Sequence, residues 1–517
     1  MNTNPVLKAD FPDPDVIRVD DTYYMVSTTM HFMPGAVLLR SFDLASWEII
    51  GHVYDALADT PARRLEGDAT IYGQGMWAPS LRHHRGAFYI CFSANDTGQT
   101  YLFSSERITG PWRKRVLDGF YYDCSLLFDK DNRVYIVHGN RDIYITELDD
   151  GLSGPKKGGL HRLIVSDSRS IMLGYEGSHI YRIKDRYYLF LIHWPRGKRR
   201  REACFAADSL RGEFRGGDIL DDDLGFFNQG VAQGGIVDTP EGDWFAVLFQ
   251  DRGAAGRMPV LVPLRWENAF PVLGKGGKAP QRVETRSTRP GHRYAPHYVS
   301  DDFRYTPDRA GAVVLNPVWE WNHAPDPARW SIDPARGVLR ITSGKLSPNL
   351  TRCRNMLTQR TVFPACQASV EVDGSMLRNG DYAGLCALQG RYGMIAVTRD
   401  RRGYWLVMKG RPGRADRTMG KTCDRRPGVE YARVRLAGAR AVVKAVIRYK
   451  DMKDTAEFFH QTAAGWKKLG ITQRLYFGLD HFTGCRFGLF LYATRTPGGS
   501  AEFSRFIYAT DGIPPDR

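Results

Sequence analysis

Short runs of alternating apolar and polar residues, broken by turn residues, fill this chain, and apolar positions almost never recur at helical spacing. In the first half the runs come in pairs. Five times an apolar strand, a polar turn and a second apolar strand follow one another: "PDVIRV" to "YYMVSTT", "PSLRHH" to "FYICFSA", "CSLLFD" to "VYIVHGN", "SHIYRI" to "YYLFLIH" and "GGIVDT" to "WFAVLFQ". The alternation and the intervening turns ("VDDT", "HRGA", "KDNR", "IKDR", "PEGD") predict β-hairpins. Each second strand opens on an aromatic pair or near-pair: Tyr23-Tyr24, Phe88-Tyr89, Val134-Tyr135, Tyr187-Tyr188 and Trp244-Phe245. The unit recurs every 45–65 residues or so, the period of a propeller blade. Runs such as "AVLLRS" and "TYLFSS" supply further strands, and "DLASWE" and "ITGPWR" read as outer turns. Five four-stranded units around an axis make a five-bladed β-propeller.

Past the fifth unit the rhythm changes. Residues 275–300, "KGGKAPQRVETRSTRPGHRYAPHYVS", are rich in Gly, Pro and Arg and lack periodicity. From "DDFRYT" onward, strands such as "ASVEVD", "YAGLCAL", "GMIAVTRD", "VVKAVIRYK" and "RFGLFLYAT" crowd together without the earlier repeat, which predicts a β-sandwich of jelly-roll or concanavalin-like type. A chain of 517 residues is too long for one core, in keeping with two domains. The expected all-β layout is a propeller over 1–280, a linker over 281–300 and a sandwich over 301–517.

The repeat carries a chemical signal. Ten or eleven residues before each aromatic pair stand Asp13, Trp77, Asp123, Glu176 and Gln233. Rotational symmetry would bring these side chains to one mouth of a central funnel. Clustered acids repel, so at least one of the three keeps its proton to higher pH. A proton donor and a base in one pocket is what glycoside hydrolysis requires. Asp before Pro also caps turns, so each acid alone has an ordinary structural reading, which three at one offset do not share. The net charge of +15 comes from basic residues scattered among acids, with dense runs at Arg196–Arg201 and Arg399–Arg402. That scatter indicates a solvated surface and argues against nucleic acid, while leaving an acidic polysaccharide open. The eight cysteines include no CxxC pair and read as small buried hydrophobes, not as a zinc site or disulfide frame.

The segments "NPVLKADFPDPD", "MWAPSLRHHRGAFY", "YYDCSLLFDKDNRVYIVHGN", "YEGSHIYRIKDRYYLFL" and "GRMPVLVPLRWENAFPV" resemble, in order, those of glycoside hydrolase family 43, especially its β-xylosidase and α-L-arabinofuranosidase members, and the longer members also carry a C-terminal β-sandwich. The resemblance implies a propeller that hydrolyses with inversion in one displacement. By motif it implies Asp13 in "FPDPD" as general base, Glu176 in "YEGSH" as general acid and Asp123 in "YYDCSL" as the acid that tunes and orients the donor. It also implies Arg257 in "GRMPVLVP" on sugar hydroxyls and Trp77 in "WAP" as a pocket wall. Asp15, beside Asp13, is a competing candidate that the motif passes over. Many members have a His that helps hold an axial calcium where this chain has Gln233; a Gln oxygen still permits calcium, though no cofactor is required. His31 and Phe32, in "TTMHFMPG", are candidate walls of the site, and Phe482, in "HFTG", resembles a sandwich loop that reaches over the pocket.

The leading expectation is an exo-glycosidase releasing terminal xylose from β-1,4-xylo-oligosaccharides. An α-L-arabinofuranosidase, or one pocket serving both sugars, is the near alternative. A non-catalytic carbohydrate-binding propeller is the alternative of another class. The expected partner is a small oligosaccharide, with no nucleic acid and no membrane, and with a homo-oligomer left open. The N-terminus lacks a basic-then-apolar signal pattern, so a cytoplasmic location is expected.

Overall fold

The computed structural model describes residues 2–168, 171–309, 311–411 and 425–513. Among the described residues the regular elements are strands and three short 3-10 turns, with no helix long and apolar enough to cross a membrane. Five four-stranded antiparallel sheets form the first domain. Their inner strands are Asp15–Val19, Ser80–His84, Ser125–Phe128, Ile171–Ile183 and Ala232–Asp238, hereafter blades 1 to 5. Each inner strand packs against the next, and the fifth packs against the first, so the ring is closed. Apolar faces fill the seams: Leu81, Ile90 and Phe103 meet Val26 and Leu38 between blades 1 and 2, and Val137 and Ile145 meet Leu189 and Leu191 between blades 3 and 4.

The chain start closes the ring. Val6 N donates to Pro259 O at 3.0 Å and Phe11 N to Arg257 O at 2.9 Å, so the first residues lie along the blade 5 strand Arg257–Glu267. Asn4 exchanges two bonds with the Leu261 backbone, at 2.8 and 2.9 Å.

On the axis sits the guanidinium of Arg82, from blade 2. Nη1 donates to Asp15 Oδ2 of blade 1 at 2.6 Å, Nε to Leu126 O of blade 3 at 2.8 Å, and Nη2 to Ser125 Oγ at 2.8 Å and Ile180 O of blade 4 at 3.2 Å. Tyr181 lies under the guanidinium at 5.0 Å, and its hydroxyl accepts from Ile236 N of blade 5 at 3.0 Å. Asp15 is fully buried. Burial opposes its charge, but Arg82, His179 and the Leu81 amide prevail and hold the carboxyl at about 2.

The second domain stacks two sheets over a core that includes Ala383, Leu385, Ile395, Leu489, Val370 and Ala445. The boundary between domains is less clean than the composition of 281–300 predicts. Those residues run along the propeller: Arg282–Val283 pairs with Asn2–Thr3, Thr288 N donates to Phe42 O at 2.8 Å, and Arg289 pairs with Asp21 at 2.7 Å. In return Phe32–Met33, within blade 1, becomes the edge strand of the eight-stranded sandwich sheet, pairing with Glu320–Asn322. Glu320, fully buried, takes Arg360 and Arg486 at 2.7 Å each and His52 of blade 1 at 3.1 Å. Seven cysteines are buried free thiols, and Cys423 lies outside the described residues.

Arg82→Met would leave Asp15 buried without its cation. The expected loss is about 3–5 kcal/mol of stability, the range for removing one partner of a buried pair. A denaturant titration reads it as a fall in midpoint, and a midpoint unchanged from the parent would contradict the axial role.

Candidate active site

The residues that lead the five inner strands meet at one mouth of the ring. Asp13, Trp77, Asp123, Glu176 and Gln233 line a single cavity of about 590 Å³, together with Arg257 and Phe482. A shared backbone device recurs there: Asp13, Asp123 and Gln233 have φ of 51°, 46° and 61°, and in blade 4 Gly177 has φ of 63°. Left-handed backbone at non-glycine residues is uncommon and concentrates at sites where the surroundings enforce it. Gly177 has a second constraint, because a Cβ there would lie 2.6 Å from the Gln233 side chain.

Asp13 is 6% exposed, and its Oδ1 accepts from Arg257 Nη1 at 2.8 Å. Burial raises its proton affinity more than Arg257 lowers it, so the group sits above the usual carboxylate range. Glu176 Oε2 accepts from the Tyr122 hydroxyl at 3.2 Å and from Asn140 Nδ2. Desolvation outweighs these bonds and the Arg200 charge, and Glu176 is pushed up to about 7, with Asp13 adding to the rise. Asp123, buried, is raised well above its ordinary value by desolvation and then by the charges of Glu176 and Asp13. The cavity thus keeps protons among its three carboxyls at a pH where free carboxyls have lost theirs.

Arg257 is set by Asp10, whose Oδ1 accepts from the Arg257 amide and whose Oδ2 accepts from Gly484 N of the sandwich, both at 2.8 Å. One carboxylate therefore joins the cavity floor to the loop that carries Phe482. The Phe482 ring lies 4.3 Å from the guanidinium and 5.7 Å from Trp77, which is 5.8 Å from Tyr122. These rings give the cavity apolar walls of the kind that stack on sugar faces. Asp123 Oδ1, Trp77 Nε1 and Arg257 Nε are buried without a partner among the described residues. Buried polar atoms of this kind are what a sugar's hydroxyls would satisfy.

Not every candidate joins the site. His31 and Phe32 do not line the cavity; they are buried at the junction of the domains. His31 packs against Tyr72, His323 and His481 at 4.8–5.1 Å, and Phe32 lies beneath Arg486 at 3.6 Å. Phe32 lies in a strand drawn into the sandwich sheet, and His31 is the turn residue just before it, which takes both rings to the domain junction and off the cavity wall. Asp15 is committed to Arg82 on the axis. Gln233 lines the cavity, but among the described residues no group of three or more His, Cys, Asp or Glu could hold a metal ion. The calcium possible at Gln233 would find no further His, Cys, Asp or Glu trio there among the described residues, and no step below runs through one. Tyr122, Asn140, Leu173, Trp194, Phe249 and Leu479 line the cavity without having been singled out in the sequence, and so does Arg200, from the basic run read as solvated surface. Tyr122 had the clearest signal, as the neighbour of Asp123. Asn140 and Trp194 sit outside the repeat's marked position and had none.

The sequence model described as glycosyl hydrolases family 43 matches residues 2–271, and that described as beta xylosidase C-terminal concanavalin A-like domain matches residues 312–509. A beta-xylosidase of Formosa agariphila is 25% identical, covering 98% of this chain and 90% of its own. A non-reducing end alpha-L-arabinofuranosidase of Bacteroides ovatus is 24% identical, covering 82% of this chain and 80% of its own. Among solved structures, a bifunctional GH43-CE protein of Bacteroides eggerthii superposes with a TM-score of 0.90 at 38% identity; the match covers 99% of this chain and 64% of that longer one.

Gly177→Ala would force a methyl group against Gln233 in a backbone conformation that alanine resists. Denaturant titration should show destabilisation beyond about 1 kcal/mol, the scale at which glycine at positive φ matters. Parental stability would mean that the blade 4 turn is not fixed as described.

Proposed function

The chain belongs to glycosyl hydrolase family 43 and is a glycoside hydrolase acting on oligosaccharides, and from that membership we propose an inverting exo-enzyme that releases terminal xylose from β-1,4-xylo-oligosaccharides. The observation that carries the reading is the pairing of unlike carboxyl environments in one cavity: Glu176 held up to about 7 and Asp13 bonded to Arg257. Glu176, protonated, donates to the glycosidic oxygen as the C–O bond breaks. Asp13, ionised, takes a proton from a water that attacks the anomeric carbon from the opposite face. One displacement inverts the configuration, and the product leaves with Glu176 ionised and Asp13 protonated, a state reset by exchange with solvent. Asp123 shares the buried cavity with Glu176, whose charge raises Asp123 in turn, so the two carboxyls do not both ionise readily. It also offers its unpartnered oxygen to a sugar hydroxyl. Arg257 has the fork geometry to bind hydroxyls while holding Asp13. The sandwich loop with Leu479 and Phe482 walls the cavity on one side, which supports removal of terminal sugars over cleavage within chains.

A second reading, an α-L-arabinofuranosidase or an enzyme with both activities, is favoured by the relative of that name in Bacteroides ovatus. Turnover of the nitrophenyl β-xyloside against the nitrophenyl α-L-arabinofuranoside separates the two, and the first is expected to be faster.

Three outcomes follow from the carboxyl roles. The kcat/KM profile is expected to fall on the alkaline side at about 7, where Glu176 loses its proton, and on the acid side above the ordinary carboxylate range, where Asp13 gains one. Glu176→Ala is expected to slow xylobiose hydrolysis by about 10²–10⁴-fold, the scale of general acid catalysis, and to slow dinitrophenyl xyloside far less, because that leaving group needs no proton. Equal losses on both substrates would remove Glu176 from the donor role. The first-formed sugar from a β-xyloside should be the α anomer by NMR; the β anomer would exclude a single displacement.

A further inference from the structure

The basic run Arg196–Arg201 does not behave as one solvated patch. Arg199 pairs with Asp221 and Asp223 at 3.1 and 3.0 Å, and Arg201 with Asp218 and Asp221 at 2.7 Å each. Arg200 between them lines the catalytic cavity instead, bonded to Asp251 and lying 5.3 Å from the Trp194 ring. The side chains of Arg200 and Asp251 are only 17% and 9% exposed. Asp251 stands directly opposite Arg257 in the blade 5 ladder, and Arg257 holds Asp13 at 2.8 Å. On the other side, Glu176 is in register with Ile192, and Ile192 with Glu202, which brings the start of the Arg200 strand next to the donor. Charges therefore alternate around the wall: Asp13, Arg257, Asp251, Arg200, Glu176.

We propose that the Arg200–Asp251 ion pair is a positioning element of the hydrolytic site that sets the pH window in which donor and base hold opposite protonation states. The proposal rests on the reading of Glu176 as acid and Asp13 as base. Its physics is reciprocal. Arg200 is a cation beside the donor and favours its ionised form, whereas Asp251 is an anion near the base and favours its protonated form. Each acts on the carboxyl named, Arg200 on Glu176 and Asp251 on Asp13. The other groups facing Glu176 are Tyr122, Asn140, Asp123 and Asp13, and those facing Asp13 are Arg257, Thr28 and Asp10. None of these changes when the pair is altered, so the pair can be read separately. Because the pair is close to neutral as a unit, breaking it from either end unmasks one charge in a cavity shared by both reacting groups.

The two single variants should then displace activity in opposite directions. In Arg200→Met the donor loses its nearby cation and Asp251 is left as an uncompensated anion. Both limbs of the kcat/KM profile move to higher pH, by roughly half a unit or more. In Asp251→Asn the base loses its nearby anion and Arg200 is left as an uncompensated cation, so both limbs move to lower pH. The double variant removes both charges at once and should return both limbs to within about 0.2 unit of the parent, the sum of two opposite shifts. Arg200→Lys, which keeps the charge, should keep the parental limbs. The probe is nitrophenyl β-xyloside (or the arabinofuranoside, if that is the faster substrate), with folding checked by circular dichroism. A profile that drops in height with both limbs in place, or limbs that move the same way in both single variants, would overturn the proposal. If Arg200→Met does not fold, Asp251→Asn and Arg200→Lys decide the matter by the same limbs. Failure of the underlying reading has a different mark: the alkaline limb of the parent would survive in Glu176→Ala.

Discussion

One guanidinium at the centre of the ring is the constraint from which the site follows. Arg82 has five N–H donors in a rigid planar fork, and a β-propeller axis offers inward-facing backbone carbonyls that need donors. Its bonds reach Asp15, Ser125, Leu126 and Ile180, from three other blades, and the hydroxyl of Tyr181 beneath it takes in the fifth. Asp15 and Ser125 stand two residues beyond Asp13 and Asp123, and Ile180 four beyond Glu176. The anchor thus lies a few residues along the chain from the cavity residues of the same blades. Gly235, two residues beyond Gln233, belongs to the same layer, since a Cβ there would meet Asp15 Oδ1 at 2.6 Å.

Above that anchor, chemistry is created by withholding solvent. Three carboxyls share one cavity, and the close cation, Arg257, is committed to Asp13. Glu176 is held up to about 7 because desolvation outweighs the Tyr122 and Asn140 hydrogen bonds and the Arg200 charge, whereas Asp13 has a guanidinium bonded to it. Opposite roles for like groups arise from environment alone. The sandwich contributes to this enclosure. Asp10 couples its Phe482 loop to Arg257, and bonds from His52 of blade 1 to the buried Glu320 and from Arg360 to the Asp10 carbonyl tie the domains together. The second domain is therefore part of the pocket's architecture, which explains why a blade 1 segment, Phe32–Met33, is spent on its sheet.

The hairpin repeat made the ring legible because a blade has a fixed length and its aromatic pair recurs at one register. The convergence of Asp13, Trp77, Asp123, Glu176 and Gln233 was legible for the same reason: rotational symmetry turns a sequence offset into a spatial coincidence. Residues outside the offset were not. Asn140 and Trp194 end second strands, and nothing local to them says that those ends reach the mouth. Arg82 looked like an ordinary strand residue and Asp15 like a competitor of Asp13, since their pairing spans blades. His31 and Phe32 misled because their place in "TTMHFMPG" suggested a wall of the site, while Phe32–Met33 pairs with the other domain. The segment 281–300 looked like a free linker by composition, yet its polar groups bond to blade 1, as with Arg289 to Asp21.

The central claim is that Asp13 and Glu176 act on opposite faces of one bound sugar. A crystal structure of the Glu176→Gln variant with xylobiose tests it most directly. The terminal ring should lie in the cavity against Trp77, with the residue 176 amide at the glycosidic oxygen and an Asp13 oxygen on the far side of the anomeric carbon, one water away. A sugar bound with both side chains on the same face, or bound outside the cavity altogether, would contradict the account.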